Sequence, residues 1–157
     1  MNKNKKILIV GAGGFIGGHL IKKLLDNGNS IVAVDLKPKE YWFQDFDVAE
    51  NYYSTDMKDI TNCRKVTKKI DYVFNMACNM GGMGFIENNK AECMQSVLIN
   101  TNLLIACKED KVEKYFFSSS ACAYNKSKQQ EVFIEGLKEK DAYPADPEDG
   151  YGWEKLF

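Results

Sequence analysis

A glycine-rich turn near the amino terminus constrains the fold of this chain more than any other feature. The turn, Gly11-Ala12-Gly13-Gly14-Phe15-Ile16-Gly17, follows the apolar run Lys6–Val10 and precedes an amphipathic stretch that extends to Leu25. This order predicts a strand, a tight turn and a helix. Glycine at positions 11, 14 and 17 allows a sharp turn, close approach of a pyrophosphate to backbone N–H groups, and tight packing of the helix on the strand. The turn therefore predicts a dinucleotide-binding site.

A second apolar run supports this interpretation. Residues Ser30–Val34 lead into Asp35, which lies 18 residues after Gly17 and fits the acidic residue that binds an adenosine ribose. The negative charge of Asp35 would repel a ribose phosphate, so the sequence favours NAD over NADP as the cofactor. Lys37 and Lys39 follow closely, and their positive charges oppose this preference.

The rest of the chain continues to alternate strand and helix patterns. This alternation predicts an α/β fold of the Rossmann type, a doubly wound parallel sheet with helices on both faces. Further strands are predicted at 51–54, 71–77 and 114–118, a long helix at about 88–108, and a polar surface loop at 125–150. The expected strand order is 3-2-1-4-5. Asp56, after the third strand, is either a cofactor ligand or a helix cap or turn residue.

Composition fits one NAD-binding domain over residues 1–157. The chain has 157 residues, 45% of them hydrophobic, and a net charge of −1. This charge gives no electrostatic case for nucleic acid binding, and no stretch approaches membrane-spanning length, so we expect a cytoplasmic protein. The five cysteines form no Cys-x-x-Cys pair and the chain has one histidine, His19. We therefore expect neither a complete disulfide framework nor a metal site.

The last residues of the chain contain a second chemical pattern. Helical spacing places Tyr151 and Lys155 on one face. A lysine ammonium beside a phenol favours the phenolate and lowers a tyrosine pKa from about 10 toward the working range of a proton-transfer catalyst. The pair suits a redox base, and the alternative is two exposed helix residues with the same spacing.

Two further segments follow strands at the edge of the sheet where open parallel sheets bind ligands. Asn79–Phe85 contains three glycines, which would let a substrate approach the backbone. Ser118–Cys122 would present a hydroxyl and a thiol toward the same crevice. The alternatives are a hydrogen bond at the strand end for Ser120 and simple burial for Cys122.

Together these residues resemble the extended short-chain dehydrogenase/reductase family, the NAD-dependent epimerases and dehydratases. The resemblance covers the whole chain but only the amino-terminal portion of the family's enzymes. It rests on the glycine turn and on three strings: Met-Gly-Gly-Met-Gly-Phe-Ile at 80–86, Ser-Ser-Ala-Cys at 119–122, and residues 142–156, which end in Tyr-Gly-Trp-Glu-Lys-Leu.

The resemblance implies a nucleotide-sugar epimerase with a GDP-mannose-like substrate. Tyr151, supported by Lys155, would deprotonate the C4 hydroxyl while NAD takes the hydride, and the resulting ketone would acidify C3 and C5. Cys122 would be one member of an acid/base pair, and Ser120 is the fourth implied catalytic residue. The implied cofactor residues are Gly11, Gly13, Gly14, Phe15, Ile16, Gly17, Asp35, Asp56, Ala77, Tyr151 and Lys155. The implied substrate residues are Gly81, Gly82, Ser120, Ala121 and Cys122.

The resemblance also implies what this chain lacks. In the family, the second acid/base residue is a lysine beyond the tyrosine helix, and the chain stops before it and before the substrate domain. We therefore expect an incomplete site with little turnover. Two alternatives remain: another nucleotide-sugar epimerase or dehydratase of the family, or a non-catalytic NAD-binding fragment.

An open sheet edge at 114–118 predicts a possible homo-oligomer.

Overall fold

A computed structural model describes residues 4–130, 133 and 136–157. The chain divides into two compact units. Unit 1 consists of Met1–Cys78 and Leu98–Phe117, and unit 2 consists of Asn79–Val97 and Ser118–Phe157. The expectation of a single domain over residues 1–157 stays a prediction.

Unit 1 contains a parallel sheet of five strands. They are β1 Lys6–Val10, β2 Ser30–Val34, β3 Glu50–Tyr52, β4 Tyr72–Asn75 and β5 Lys114–Phe117. The strand order is β3-β2-β1-β4-β5 and every neighbouring pair is parallel. The predicted fold class and strand order are therefore confirmed, and β5 is an edge strand. Val10 of β1 pairs with both Val34 and Asn75, so three strands reach the same level at their carboxyl ends.

The described residues contain six α-helices. They are α1 Phe15–Asp26, α2 Ile60–Val66, α3 Met83–Asn88, α4 Lys90–Met94, α5 Ser96–Glu109 and α6 Asp149–Leu156. None of these helices combines the length and the apolar character that a membrane span requires. The core of unit 1 lies on both faces of the sheet, where α1 covers one face and α2 and α5 cover the other.

Alternation along β1 shows how the sequence builds these two layers. Ile7 and Ile9 pack against Ile21 of α1, whereas Leu8 packs on the opposite face with Leu103 of α5. Successive strand residues point to opposite faces, and a parallel sheet covered on both sides needs apolar residues at every position. All five side chains are fully buried, and each contributes about 1.5–3 kcal/mol of burial free energy.

The prediction of one long helix at 88–108 is wrong. The structure has three helices there, with interruptions at Asn89 and Gln95. Asn89 leaves the helical region with φ −128° and ψ 42°, and its side-chain amide donates to the carbonyl oxygen of Phe85 over 2.8 Å. The same carbonyl oxygen also accepts from the backbone N–H of Asn89 over 2.9 Å, so this side chain forms a local bond to the last turn of α3 at the residue where the helix ends.

Smaller differences concern element ends. The third strand lies at 50–52 rather than 51–54, because Ser54 adopts a left-handed backbone with φ 49°. The fourth and fifth strands end two residues and one residue earlier than predicted. The predicted loop at 125–150 contains two short 3-10 turns, Lys126–Gln129 and Glu139–Ala142, and α6 begins at its end. Positions 131, 132, 134 and 135 of this loop lie outside the described residues.

Candidate functional site

The glycine turn in unit 1 has the conformation that its sequence predicts. Gly11 has φ +84°, and its N–H and that of Ala12 both donate to the carbonyl oxygen of Val34, over 2.9 and 3.1 Å. A Cβ atom at Gly17 would collide with the carbonyl oxygen of Gly11, so only glycine lets α1 begin this close to β1. The turn therefore fixes the start of α1 against the ends of two strands.

Asp35 is tied directly to this turn. One oxygen of its buried carboxylate accepts from the N–H of Gly13 over 2.8 Å, and the other accepts from the N–H of Lys37 over 2.9 Å. Because each carboxylate oxygen can accept two hydrogen bonds, the group keeps the capacity to bind a ribose hydroxyl. The structure thus brings Asp35 and the glycine turn together.

Two other predicted cofactor residues also lie in unit 1. Ala77 follows β4, and a Cβ atom at Gly11 would be 2.9 Å from its backbone nitrogen, so the two residues are in close contact. Asp56 has a turn role, since its Oδ1 accepts from the N–H of Lys58 over 2.9 Å. The cap of α2 is Asp59, whose side chain accepts from the N–H of Thr61. A cofactor role for Asp56 stays a prediction.

The start of α1 fits the pyrophosphate of a dinucleotide. Its N-cap is Gly14, and within the described residues no side chain caps the helix and no acidic residue occupies its first turn. The side chains of Phe15 and Ile16 are 61% and 62% exposed, whereas the backbone of Gly13 in the same turn is in contact with the ring of Trp42. Uncapped N–H groups and the positive end of the helix dipole attract a phosphate anion. Gly11, Gly14, Asp35 and Ala77 would hold NAD here.

Unit 2 contains the predicted redox pair. Tyr151 and Lys155 lie on α6 and are buried, and the Lys155 Nζ atom is 5.6 Å from the centroid of the Tyr151 ring. The Tyr151 hydroxyl donates to Sδ of Met80 over 3.5 Å. Ser119 Oγ donates to the carbonyl oxygen of Lys155 over 2.8 Å and anchors the last turn of α6. The predicted common face of Tyr151 and Lys155 is therefore confirmed, whereas their catalytic roles stay predictions.

Ser120 and Cys122 lie in the same unit, at a 3-10 turn over Ala121–Ala123. The Ser120 hydroxyl accepts from the N–H of Cys122 over 3.2 Å and caps this turn. The half-buried Cys122 lies next to α6, because a Cβ atom at Gly152 would be only 2.5 Å from its carbonyl oxygen. The local hydrogen bond of Ser120 matches the alternative considered from sequence, and catalytic roles for both residues stay predictions.

The predicted substrate glycines lie on the exposed segment that contains Met80. Gly82 is the N-cap of the short helix α3, and Gly81 packs against the side chain of Phe85. Because Met80 contacts the Tyr151 hydroxyl, this segment lies beside the predicted redox tyrosine within unit 2. Substrate contacts by Gly81, Gly82 and Ala121 stay predictions.

A partly buried polar network in unit 1 was not predicted from the sequence. Asn75 at the end of β4, Asn100 on α5 and the Tyr115 hydroxyl on β5 form mutual hydrogen bonds, of which the shortest runs from Tyr115 Oη to Asn100 Oδ1 over 2.7 Å. Burial raises the pKa of Tyr115 well above its usual value. Asn75 also accepts from the N–H of Ala77 and so fixes the backbone beside the glycine turn. The sequence signal that could have revealed this network was the presence of polar residues inside elements that were predicted to be buried.

Glu154, which lies between the two residues of the redox pair in the sequence, was not predicted either. Its carboxylate is buried, Oε2 is 3.3 Å from Lys155 Nζ, and neither oxygen has a hydrogen-bond partner among the described residues. Burial raises the pKa of Glu154, although the charge of Lys155 acts in the opposite direction. The side of α6 that carries Lys155 therefore holds a second ionisable group.

A fold of this type, with a glycine turn and an acidic residue in one unit and a Tyr-x-x-x-Lys helix in the other, is typical of the short-chain dehydrogenase/reductase class. The sequence matches the NAD dependent epimerase/dehydratase family over residues 7–157, and the chain belongs to this family. The cofactor of the family is NAD, as predicted.

Particular members of the family are similar to this chain. It is 41% identical over 156 residues to GDP-mannose 3,5-epimerase of Arabidopsis thaliana, covering 99% of this chain and 41% of the relative. It is 44% identical over 152 residues to GDP-mannose 3,5-epimerase 1 of Oryza sativa subsp. indica, and this match covers 96% of this chain and 40% of the relative. The chain thus spans about two fifths of the length of these relatives.

Solved structures agree with this assignment. A UDP-glucose 4-epimerase is 30% identical with a TM-score of 0.76, over 96% of this chain and 44% of that one. MoeE5, solved in complex with UDP-glucose and NAD, is 26% identical with a TM-score of 0.71. This match covers 96% of this chain and 46% of MoeE5. Both likenesses support the Rossmann-type fold, and MoeE5 supports NAD as the cofactor.

Proposed function

We propose that this chain is the NAD-binding and redox part of a nucleotide-sugar epimerase of the GDP-mannose 3,5-epimerase type, acting in the cytoplasm. The observation that carries the proposal is the arrangement within unit 2. There, α6 holds Tyr151 and Lys155 on one face, and Gly152 brings the helix against the backbone of Cys122. The similarity to two GDP-mannose 3,5-epimerases supports the choice of reaction.

Each residue type suits one step of this reaction. When bound, NAD supplies the acceptor for the hydride from C4 of the sugar. Tyr151 takes the proton of the C4 hydroxyl, and the ammonium of Lys155 stabilises the phenolate form. The ketone acidifies the C–H bonds at C3 and C5, and the Cys122 thiolate takes a proton at one face of these carbons. Return of the hydride to C4, with the proton from Tyr151, restores the alcohol, so that no net redox change occurs. The segment with Gly81 and Gly82 contacts the sugar.

A chimaera tests the proposal directly. It would continue this chain after Phe157 with the later part of the Arabidopsis thaliana relative, so that the family's second acid/base residue is present. With NAD and GDP-mannose in heavy water, we expect deuterium at C3 and C5 of the sugar. Cys122→Ala in the same chimaera should greatly reduce this exchange while NAD still binds. Absence of exchange in a folded chimaera that binds NAD would contradict the proposed reaction.

The 157-residue chain alone is the matched control. We expect it to exchange far more slowly than the chimaera, because the second acid/base lysine of the family lies beyond the matched segment. Equal exchange by both proteins would mean that a residue of this chain replaces that lysine. Light scattering of the same samples measures whether the chain is a homo-oligomer, which stays a prediction.

A second candidate is simple 4-epimerisation, favoured by the similarity to a UDP-glucose 4-epimerase. That reaction needs no acid/base group at C3 or C5, so the Cys122 thiol distinguishes the two. If the chimaera inverts C4 of UDP-glucose, and Cys122→Ala has no effect on this inversion, the second candidate replaces the first.

A further inference from the structure

The segment between β2 and β3 lies on the glycine turn of unit 1. After a 3-10 turn at Lys39–Tyr41, the N–H of Phe43 donates to the carbonyl oxygen of Gly13 over 3.0 Å. The Phe43 ring also packs edge-on against Phe15 at the start of α1, with ring centroids 4.8 Å apart. The segment is therefore docked on the turn by a backbone hydrogen bond and by an aromatic contact.

Trp42 makes the closest contact in this segment. A Cβ atom built on Gly13 would lie 2.7 Å from Cδ1 and 2.9 Å from Cγ and Nε1 of the indole, so the ring rests directly on Gly13. Its Nε1 donates to the carbonyl oxygen of Lys37 over 3.0 Å, and the ring meets Tyr53 edge-on with centroids 4.7 Å apart. Three independent contacts thus fix the orientation of this half-buried indole.

The same two residues connect Trp42 to Asp35. Gly13, which contacts the indole, donates its N–H to one oxygen of the Asp35 carboxylate. Lys37 accepts from the indole N–H through its carbonyl oxygen and donates its own N–H to the other carboxylate oxygen. The indole and the carboxylate expected to bind the adenosine ribose therefore both contact Gly13. An aromatic ring that shares Gly13 and Lys37 as contact residues with the ribose-binding carboxylate is within reach of the base attached to that ribose.

We infer that Trp42 forms one wall of the subsite for the adenosine half of NAD and contacts the adenine ring. This inference rests on the dinucleotide-binding part of the proposed function and is independent of the sugar chemistry. Stacking of a base on an aromatic side chain corresponds to about fivefold to a hundredfold in affinity. The indole is held in place before the nucleotide arrives, so little ordering opposes binding.

Fluorescence tests the location of the nucleotide. The chain has two tryptophans, Trp42 and Trp153, so that Trp153→Phe leaves Trp42 as the only indole. In this variant we expect NAD and AMP to change the emission strongly, and nicotinamide mononucleotide to change it little. In the matched variant Trp42→Phe, where only Trp153 emits, the response to AMP should be small. A response of Trp42 to nicotinamide mononucleotide but not to AMP would overturn the inference.

Calorimetric titration tests the energetics. Trp42→Ala should weaken the binding of NAD and of AMP by the same factor, about tenfold. Trp42→Phe keeps an aromatic ring and should recover most of the affinity, which loss of folding could not explain. Unchanged or tighter AMP binding by a folded Trp42→Ala variant would show that the indole only covers the turn, and would overturn the inference. If the wild-type chain binds neither NAD nor AMP, the dinucleotide site itself is wrong.

Discussion

The carboxylate of Asp35 accepts a hydrogen bond from the backbone N–H of Gly13 over 2.8 Å. This bond joins the end of β2 to the glycine turn after β1. The carboxylate expected to bind ribose is therefore held beside the turn expected to bind pyrophosphate. The other oxygen of the Asp35 carboxylate accepts a hydrogen bond from the N–H of Lys37. Substitution of Asp35 should therefore affect both the binding of the cofactor and the stability of the turn.

We predict that Asp35→Ala weakens NAD binding by about tenfold or more and narrows the preference for NAD over NADP. The change removes a charged ribose acceptor, whose hydrogen bond contributes about 1.5–3 kcal/mol, and also the repulsion of a ribose phosphate. Calorimetric titration with both dinucleotides measures the two effects. Asp35→Asn is a partial control, since it removes the charge but keeps only one of the two oxygens that accept from the N–H groups of Gly13 and Lys37. Equal affinities of the wild-type chain for NAD and NADP would refute this interpretation of Asp35.

We predict that Gly17→Ala destabilises the chain by about 1–3 kcal/mol and reduces its affinity for NAD. The added Cβ collides with the carbonyl oxygen of Gly11, a backbone atom that no side-chain rotation can move away. Gly84→Ala is the matched control, because Gly84 lies within α3 and a Cβ atom there meets nothing within 4 Å. Alanine also favours helix over glycine, so this control should be equally or slightly more stable. Urea unfolding of the three proteins measures the difference.

We predict that mild alkylation near neutral pH modifies Cys122 and Cys78 before Cys63 and Cys107. Burial raises the pKa of both Cys63 and Cys107 to about 12, and both side chains are buried, whereas Cys78 and Cys122 are half-buried. At pH 8, a thiol with this pKa is thiolate in only about one molecule in ten thousand, and the thiolate is the reactive form. Peptide mass spectrometry after timed alkylation reads out the order. Labelling of Cys63 as fast as Cys122 would contradict the burial described for unit 1.

The sequence was informative wherever a pattern was local. The apolar runs of β1 and β2, the glycine turn between them and Asp35 at the right distance predicted the first half of the sheet, because each depends on neighbours a few residues away. The spacing of Tyr151 and Lys155 likewise predicted their common face. Roles in binding and catalysis stay predictions, since they depend on molecules that bind to the chain.

Two of the missed features depend on packing between residues far apart in the chain, and the third depends on a local side-chain hydrogen bond. Trp42 lies in a stretch of mixed aromatic and charged residues with no periodic pattern, and only the fold places its ring on Gly13, 29 positions earlier in the chain. The break at Asn89 arises from one side-chain hydrogen bond inside an otherwise helical pattern. Glu154 looks like an exposed helix residue by composition, and its burial becomes visible only when α6 is packed. Local propensity could not reveal these three cases.

The final prediction concerns the pH dependence that Glu154 contributes to stability. Because burial raises the pKa of Glu154, the folded chain binds this proton more tightly than the unfolded chain does. Between the ordinary glutamate value and the raised value, unfolding therefore releases a proton, and stability falls as pH rises. Carboxylates with lowered pKa, such as Asp71 and Glu50, act in the opposite direction and at lower pH, so the two trends separate.

Glu154→Gln should remove the contribution of this group. We expect the free energy of unfolding of the wild-type chain to decrease relative to the variant as pH rises above about 4.5, the usual range of a glutamate. Below that range the difference between the two proteins should be constant, because Glu154 is then protonated in both the folded and the unfolded state. Urea unfolding at a series of pH values gives the difference, and the exposed Glu40→Gln serves as the control. Parallel curves for wild type and Glu154→Gln across the whole series would mean that the ion pair with Lys155 fully offsets the burial of the carboxylate.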